Sequence, residues 1–402
     1  MIKNALGFLS FCLILACSNT QKESIEFIEI PTGENSSEPS LHLSESGDIY
    51  LSWLETNDNE STLLFSNLNE SSWSQPTQIA SGEDWFVNWA DFPSITSFGK
   101  DNLVSHFLDK SAPDTYAYDV KLTISTDKGN SWSSPVLAHH DGTHTEHGFA
   151  SKIALDNETF MAVWLDGRQN HYAELDSTFT HQMTLRSGIF DKTGNIIEKH
   201  EIDNRVCDCC QTDLAMTVEG PLVVYRNRSD DEMRDTFYSK YSNGSWSQPQ
   251  AVYNDDWKIQ GCPVNGPAIA VKNNVLAVTW FTIANNQPKV KLAFSTDHGN
   301  TFNTPLTIDE SEPIGRLDLE MIDAKNALLS WMDSEDGLTK IKLQRINING
   351  ELTQPKVIVQ SSESRSSGFP RMVVKDNFAY LAWTNAGQPL SISSAKIDLE
   401  SL

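Results

Sequence analysis

Beyond its first 20 positions the sequence has no apolar run of 18 residues, which excludes a chain that crosses a bilayer repeatedly on helices. Basic residues are scarce: 30 Lys and Arg stand against 54 Asp and Glu, a net charge of −24. Such a surface repels phosphate backbones and anionic lipid, so nucleic acid is not an expected partner. Helical periodicity is missing outside the N-terminal segment, and neither collagen nor a coiled coil fits the composition. What the 402 residues do contain is 39% hydrophobic residues, with 11 Trp and 18 Phe. That is enough to bury a sizeable core, either in two or three domains or in one large all-β domain.

The first residues read as an address. Lys3 precedes an apolar run, Leu6 to Ala16, that ends in Leu15-Ala16-Cys17. The pattern fits a secretory signal and resembles a bacterial lipobox, in which Cys17 becomes the acylated first residue of the mature protein. The expected division is a lipoprotein signal peptide over 1–16, a lipidated tether over 17–24, and a single domain over 25–402. The expected location is the cell envelope, on a membrane outside the cytoplasm, facing the periplasm or the cell surface. The membrane is touched only through the lipid.

One pattern recurs along the rest of the chain. A short β-like run and a turn lead to a stronger apolar run that ends in an aromatic. Those aromatics are Trp53, Phe107, Trp164, Tyr225, Trp280, Trp331 and Trp383, spaced about every 55 residues. A third run follows in most units, then a polar turn and a tail ending in proline, as in 71–76, 130–135, 244–249 and 300–305. Four short strands per repeat predict an all-β propeller of four-stranded blades, seven by this count, with six as the alternative. The last unit, from Gly368, supplies three strands. The early run over 24–31 can supply its fourth and close the ring.

Two turns carry a family resemblance. Ser125-Thr-Asp-Lys-Gly-Asn-Ser-Trp132 and Ser295-Thr-Asp-His-Gly-Asn-Thr-Phe302 resemble Asp-boxes, the repeats of sialidase-like (BNR/Asp-box) propellers. Asp127 and Asp297 can accept backbone N–H bonds within the turn, and Gly129 and Gly299 can take positive φ. Trp132 and Phe302 would then pack back between sheets. In that family the substrate carboxylate is held by three arginines. A Tyr with a Glu partner is the nucleophile and an Asp is the acid/base. The family's Arg-Ile-Pro motif does not occur here; the nearest string is Phe369-Pro370-Arg371.

Turns of a four-stranded blade alternate between two faces. The face opposite the Asp-boxes should therefore gather the lead-ins to the innermost strands and the turns after the second strands. The lead-ins are 88–94, 139–149, 205–213, 261–267, 315–318 and 368–371, and they are rich in Cys, His and Arg. Glu146 and His147 form a candidate acid/base pair, with Asp213 a further acid and Tyr225 the candidate nucleophile. Arg168, Arg205, Arg226, Arg316 and Arg371 are candidate ligand-binding residues, and a trio such as Arg205, Arg316 and Arg371 could hold a carboxylate. Trp89 could wall a sugar ring, and Asp91 lies beside it. His139, His140, His144 and His147 with Asp141 could form a metal or acid/base site. Cys207, Cys209, Cys210 and Cys262 fall in neighbouring units. They are expected to form disulfides, with Cys262 joined to the cluster, and otherwise suit copper or zinc.

Three functions follow. The first is an exo-acting glycosidase or related enzyme on acidic glycans, with its site at the channel mouth and no required cofactor. The second is a metal-binding propeller that uses the Cys and His lead-ins. The third is a noncatalytic surface lipoprotein that binds a glycan or a protein.

Overall fold

The computed structural model describes residues 24–335 and 337–402. The lipobox and its Cys17 lie outside the described residues. Seven antiparallel sheets form a ring, so the propeller has seven blades. Their innermost strands begin with Ser36–Leu43, Ile95–Phe98, His147–Ala154, Asp213–Thr217, Ala268–Lys272, Pro313–Met321 and Arg371–Lys375. The ring closes as the sequence predicts. Ile25–Ile28 pairs antiparallel with Ser391–Asp398, Ile25 opposite Ile397, as the outer strand of blade seven.

The recurring aromatics sit on the second strands and fill the spaces between blades. Trp53 and Trp280 are completely buried. Each indole of this recurring set finds an acceptor for its N–H, as burial of a polar atom favours. Trp53 donates to Glu55, Trp164 to Asp166 and Trp383 to Asn385, each two residues along the same chain. Trp280 and Trp331 donate to Asp255 and Asp309, at the outer edge of the preceding blade. Tyr225 occupies the same place in blade four and donates to Asp203 at 2.7 Å.

The two Asp-boxes close as expected. Asp127 Oδ1 accepts from Ser125 Oγ at 2.7 Å and from the N–H of Ser131 at 2.9 Å, and Asp297 repeats the pattern with Ser295 and Thr301. Burial raises Asp297, its largest single influence, but the donors together hold both carboxyls below the usual range, Asp297 at about 2. Gly129 has φ +84° and Gly299 has φ +77°. A Cβ at Gly129 would strike Phe65 and one at Gly299 would strike Leu222, so both positions need glycine for space as well as conformation. Trp132 packs edge-on against Phe65 of blade one, and Phe302 against Tyr238 of blade four.

Besides three single-turn 3-10 helices, one α-helix among the described residues departs from the all-strand expectation. An eight-residue helix, Arg168–Leu175, follows the second strand of blade three, and none of its residues is buried. With no apolar face it leaves no periodic signal in the sequence.

Candidate active site at the channel mouth

The seven inner strands surround a central channel of about 740 Å³. Aspartates at the lead-ins tie neighbouring inner strands together. Asp91 accepts from the N–H of Phe149 at 2.7 Å, Asp213 from Ile269 at 2.9 Å, and Asp318 from Met372 at 2.5 Å. These bonds link blade two to three, four to five, and six to seven. Asp213 is thereby a staple on the channel wall, and burial raises its carboxyl to about 6 against the pull of Arg371.

Blades two and three meet in a group that the sequence did not announce. Tyr118 starts the third strand of blade two, and its backbone bridges in parallel to Glu146 in the lead-in to blade three. Its hydroxyl lies 3.1 Å from Asp91 Oδ2 and 2.9 Å from Glu146 Oε1. The ring stacks on Phe86 at 4.1 Å. Tyr118 and Asp91 are almost fully buried, and Glu146 is partly exposed. Burial raises Asp91 to about 7, against the hydrogen bonds from Phe149 and Tyr118. Burial also raises Glu146 to about 8, aided by the charges of Asp91 and Asp208 and opposed by the Tyr118 hydrogen bond. Burial and the two carboxyls hold the Tyr118 phenol protonated well above its ordinary range.

The expected Glu146–His147 pair does not form. Successive residues point to opposite sides, and His147 turns into a closed network behind Glu146. Its ring stacks on His139 with centroids 3.5 Å apart. Asp141 Oδ2 lies 2.9 Å from His139 Nδ1 and 3.3 Å from His147 Nε2, and Asp119 Oδ1 lies 3.4 Å from His139 Nε2. Arg168 clamps Asp166 at 2.6 Å and Asp141 at 3.0 Å. Burial disfavours the Asp141 carboxylate, but hydrogen bonds from His139, His147 and Thr143 hold it far below the usual range. Arg168 is therefore a partner to buried acids, not a free ligand contact.

Tyr225 is a correction of the same kind. It is completely buried in the core between blades three and four, and burial with the Asp203 charge raises its phenol. It repeats the indole positions of the other blades and cannot reach a ligand as a nucleophile.

The arginines separate rather than converge. Arg226 is buried and donates to the carbonyls of Asn265, Arg234 and Phe281. Arg316, at φ +55°, donates to the carbonyls of Glu363, Ser364 and Gly368 and lies over Trp89. Trp89 itself stacks on Phe369 at 5.7 Å. Both arginines serve as cross-blade staples, so Arg316 leaves the proposed carboxylate trio and Arg226 is not a free ligand contact. Arg205 pairs with Asp230 on the rim. Arg371 alone of these lines the channel, 3.3 Å from Asp318 and over the Phe92 ring.

A second residue absent from the expectations also lines the channel. Lys152 is buried and donates to Ser94 Oγ at 2.7 Å and His106 Nδ1 at 2.6 Å. Burial lowers its amine to about 7. Only its single charge within an inner strand could have flagged it.

The expected bond between Cys262 and the cluster is present as Cys209–Cys262. Cys207 and Cys210 are free and buried, with sulfurs 3.5 Å apart. Burial opposes the Cys207 thiolate, yet the Cys210 thiol and Arg234 bring it down to about 6, and the same burial raises Cys210.

A family model described as the BNR repeat-like domain matches residues 50–377. The chain belongs to that family. The BNR assignment agrees with the two Asp-boxes and the seven blades. An α-L-arabinofuranosidase from Fusarium graminearum is 12% identical with a TM-score of 0.51, over 91% of this chain and 94% of its own. An α-L-arabinanase from Penicillium chrysogenum, solved with arabinobiose, is 11% identical with a TM-score of 0.50, over 92% and 94%. A protein of unknown function from Dyadobacter fermentans is 14% identical with a TM-score of 0.50, over 94% and 98%. At these identities the likeness is one of fold. No curated protein matches the chain.

Proposed function

We propose that this BNR-repeat propeller is a glycoside hydrolase that works at the mouth of its channel, with Asp91 and Glu146 as the reacting carboxyls and Tyr118 positioning them. One observation carries the reading: a single phenol hydroxyl bridges two carboxyls whose protons are held near neutral pH. Glycoside cleavage needs an acid and a second carboxylate across the bond. Glu146, the more exposed of the two and protonated up to about 8, is suited to protonate a leaving oxygen. Asp91 loses its proton at about 7 and is suited to act as base or nucleophile. Their bridged oxygens lie no more than about 6 Å apart, the most that two contacts of this length allow, which favours the retaining geometry. Arg371 on the channel wall supports an acidic sugar as ligand. The arabinan- and arabinoside-directed enzymes of similar fold support a glycan as substrate.

Lipidation at Cys17 would hold the propeller at a membrane outside the cytoplasm. The Leu15-Ala16-Cys17 string supports this, and so does the Cys209–Cys262 disulfide, a bond that persists in oxidising compartments. Fatty-acid labelling of the expressed chain should be lost in Cys17→Ala; equal labelling of that variant refutes the anchor.

The deciding experiment is hydrolysis of a panel of chromogenic glycosides that includes sialosides, uronides and α-L-arabinofuranosides. Turnover should fall about 10²- to 10⁴-fold in Glu146→Gln and in Asp91→Asn. Folded protein that cleaves none of them but binds a glycan on an array would make the propeller a binding protein. Equal turnover in both variants would move the chemistry elsewhere.

A further inference from the structure

In the lead-ins to blades four and five, four sulfurs meet beside buried arginines. Cys207 and Cys210, three residues apart in the lead-in to blade four, are both free and buried. Their sulfurs lie 3.5 Å apart, and Cys209 Sγ lies 4.0 Å from Cys207 Sγ. The lead-in to blade five brings Cys262 to Cys209. An ion that holds thiolates at about 2.3 Å in trigonal or tetrahedral array sets its sulfurs roughly 3.8–4.0 Å apart. The sulfurs of Cys207, Cys209 and Cys210 all lie within 4.8 Å of one another, close to that spacing.

The charge around them suits several thiolates. Arg234, itself buried, donates from Nη1 to Cys207 Sγ at 3.1 Å, and the buried Arg226 lies close enough to bias Cys210. In a chain of net charge −24 this is a local excess of cations. Two neighbouring acids are engaged by arginines: Asp208 pairs with Arg228 at 3.1 Å and Glu232 with Arg234 at 2.8 Å. The donors left to an ion are sulfur, which selects soft cations over calcium or magnesium. A cavity of about 490 Å³, lined by Asp208, Arg228, Arg234 and Cys262, opens at the disulfide.

We propose that Cys207, Cys209 and Cys210 bind one soft d¹⁰ cation, Cu(I) or Zn(II), and that the Cys209–Cys262 disulfide gates the site. While the disulfide is closed, Cys209 is committed to Cys262 and two sulfurs remain. A dithiol reductant donates two electrons and two protons to the S–S bond and becomes a disulfide itself. Cys209 is then free as the third ligand, and binding the ion releases the thiol protons. The inference does not rest on the glycosidase reading, because none of these sulfurs belongs to the Asp91–Tyr118–Glu146 group.

The full chain, reduced with dithiothreitol and desalted without oxygen, is given Zn(II) alone or Cu(I) alone, dialysed against a weak chelator, and analysed for metal. One ion per chain is expected, and whichever of the two ions is retained names the site's metal. Oxidised protein should hold it at least tenfold more weakly. Cys207→Ser and Cys210→Ser should retain less than a tenth. Cys262→Ser removes no ligand and frees Cys209, so it should bind the ion with no reductant present. Reduced protein that retains neither ion overturns the proposal. So does full retention in Cys207→Ser, or a folded Cys262→Ser chain, checked by near-UV circular dichroism, that binds nothing.

Discussion

Two groups of carboxyls share the junction between blades two and three, and they titrate in opposite directions. Asp141 and Asp166 are held below their ordinary range, while Asp91 and Glu146 are raised towards neutrality. Burial acts on all four in the same upward sense. The difference is what faces them. Arg168, His139 and His147 surround the first pair, and the second pair shares one neutral phenol. A guanidinium or imidazolium offsets desolvation of a carboxylate; a hydroxyl does so only in part. The closed network is therefore structural, and the open pair is left with protons to exchange.

The largest way to break this contrast is to remove the cation. Arg168→Met leaves Asp141 and Asp166 buried without their guanidinium and should cost about 4 kcal/mol in urea unfolding. A loss under about 1 kcal/mol would mean that the histidines alone hold the acids.

The next test uses pH. Asp91 and Glu146 have folded pKa values above those of the unfolded chain, so between the two the folded state binds more protons. Their contribution is complete below about pH 4 and is lost as pH rises through 7 and 8. Stability should fall across that window. In Glu146→Gln the slope should be visibly flatter, and an unchanged slope would reassign the titration.

A smaller effect comes from the bridge itself. Tyr118→Phe removes one hydroxyl shared by two carboxyls, one buried and one partly exposed, and should cost about 1.5 kcal/mol. Because that hydrogen bond lowers both carboxyls, the pH limb of stability and of any activity should move upward, and a downward move contradicts the assignment.

The smallest effect is expected at a half-buried carboxylate whose donors are all local. Asp297→Ala in the second Asp-box should cost less than about 1 kcal/mol, read as a small shift of the thermal midpoint without change in catalysis. A loss of several kcal/mol would mean that the turn organises more than its own hairpin.

Much of the architecture was legible because its signals are local. Strand alternation, the aromatic that ends each second strand, and the Ser-x-Asp-x-Gly turns each operate within a few residues. The run over 24–31 showed its role because the last unit lacked a strand. A bond from Cys262 to the cluster was readable from two cysteine-bearing lead-ins in adjacent repeats, though not that Cys209 would be the partner. The helix Arg168–Leu175 was not, because it has no buried face to impose a period.

Roles at the mouth were less legible. Glu146 and Asp91 fell in segments that the repeat pattern singles out, but Tyr118 carries no such signal, since it opens a strand. Tyr225 drew notice for its aromatic ring, and the fold gave it the place of a buried tryptophan. Arg226 and Arg316 looked like ligand arginines until the ring set backbone carbonyls around them. The sequence by itself determined the repeat, the number of blades, the closure and the turns, because each depends on short-range pattern and on the need to bury one face. Only the tertiary structure decided which carboxyls keep their protons, because that depends on charges and hydroxyls brought from other blades through space.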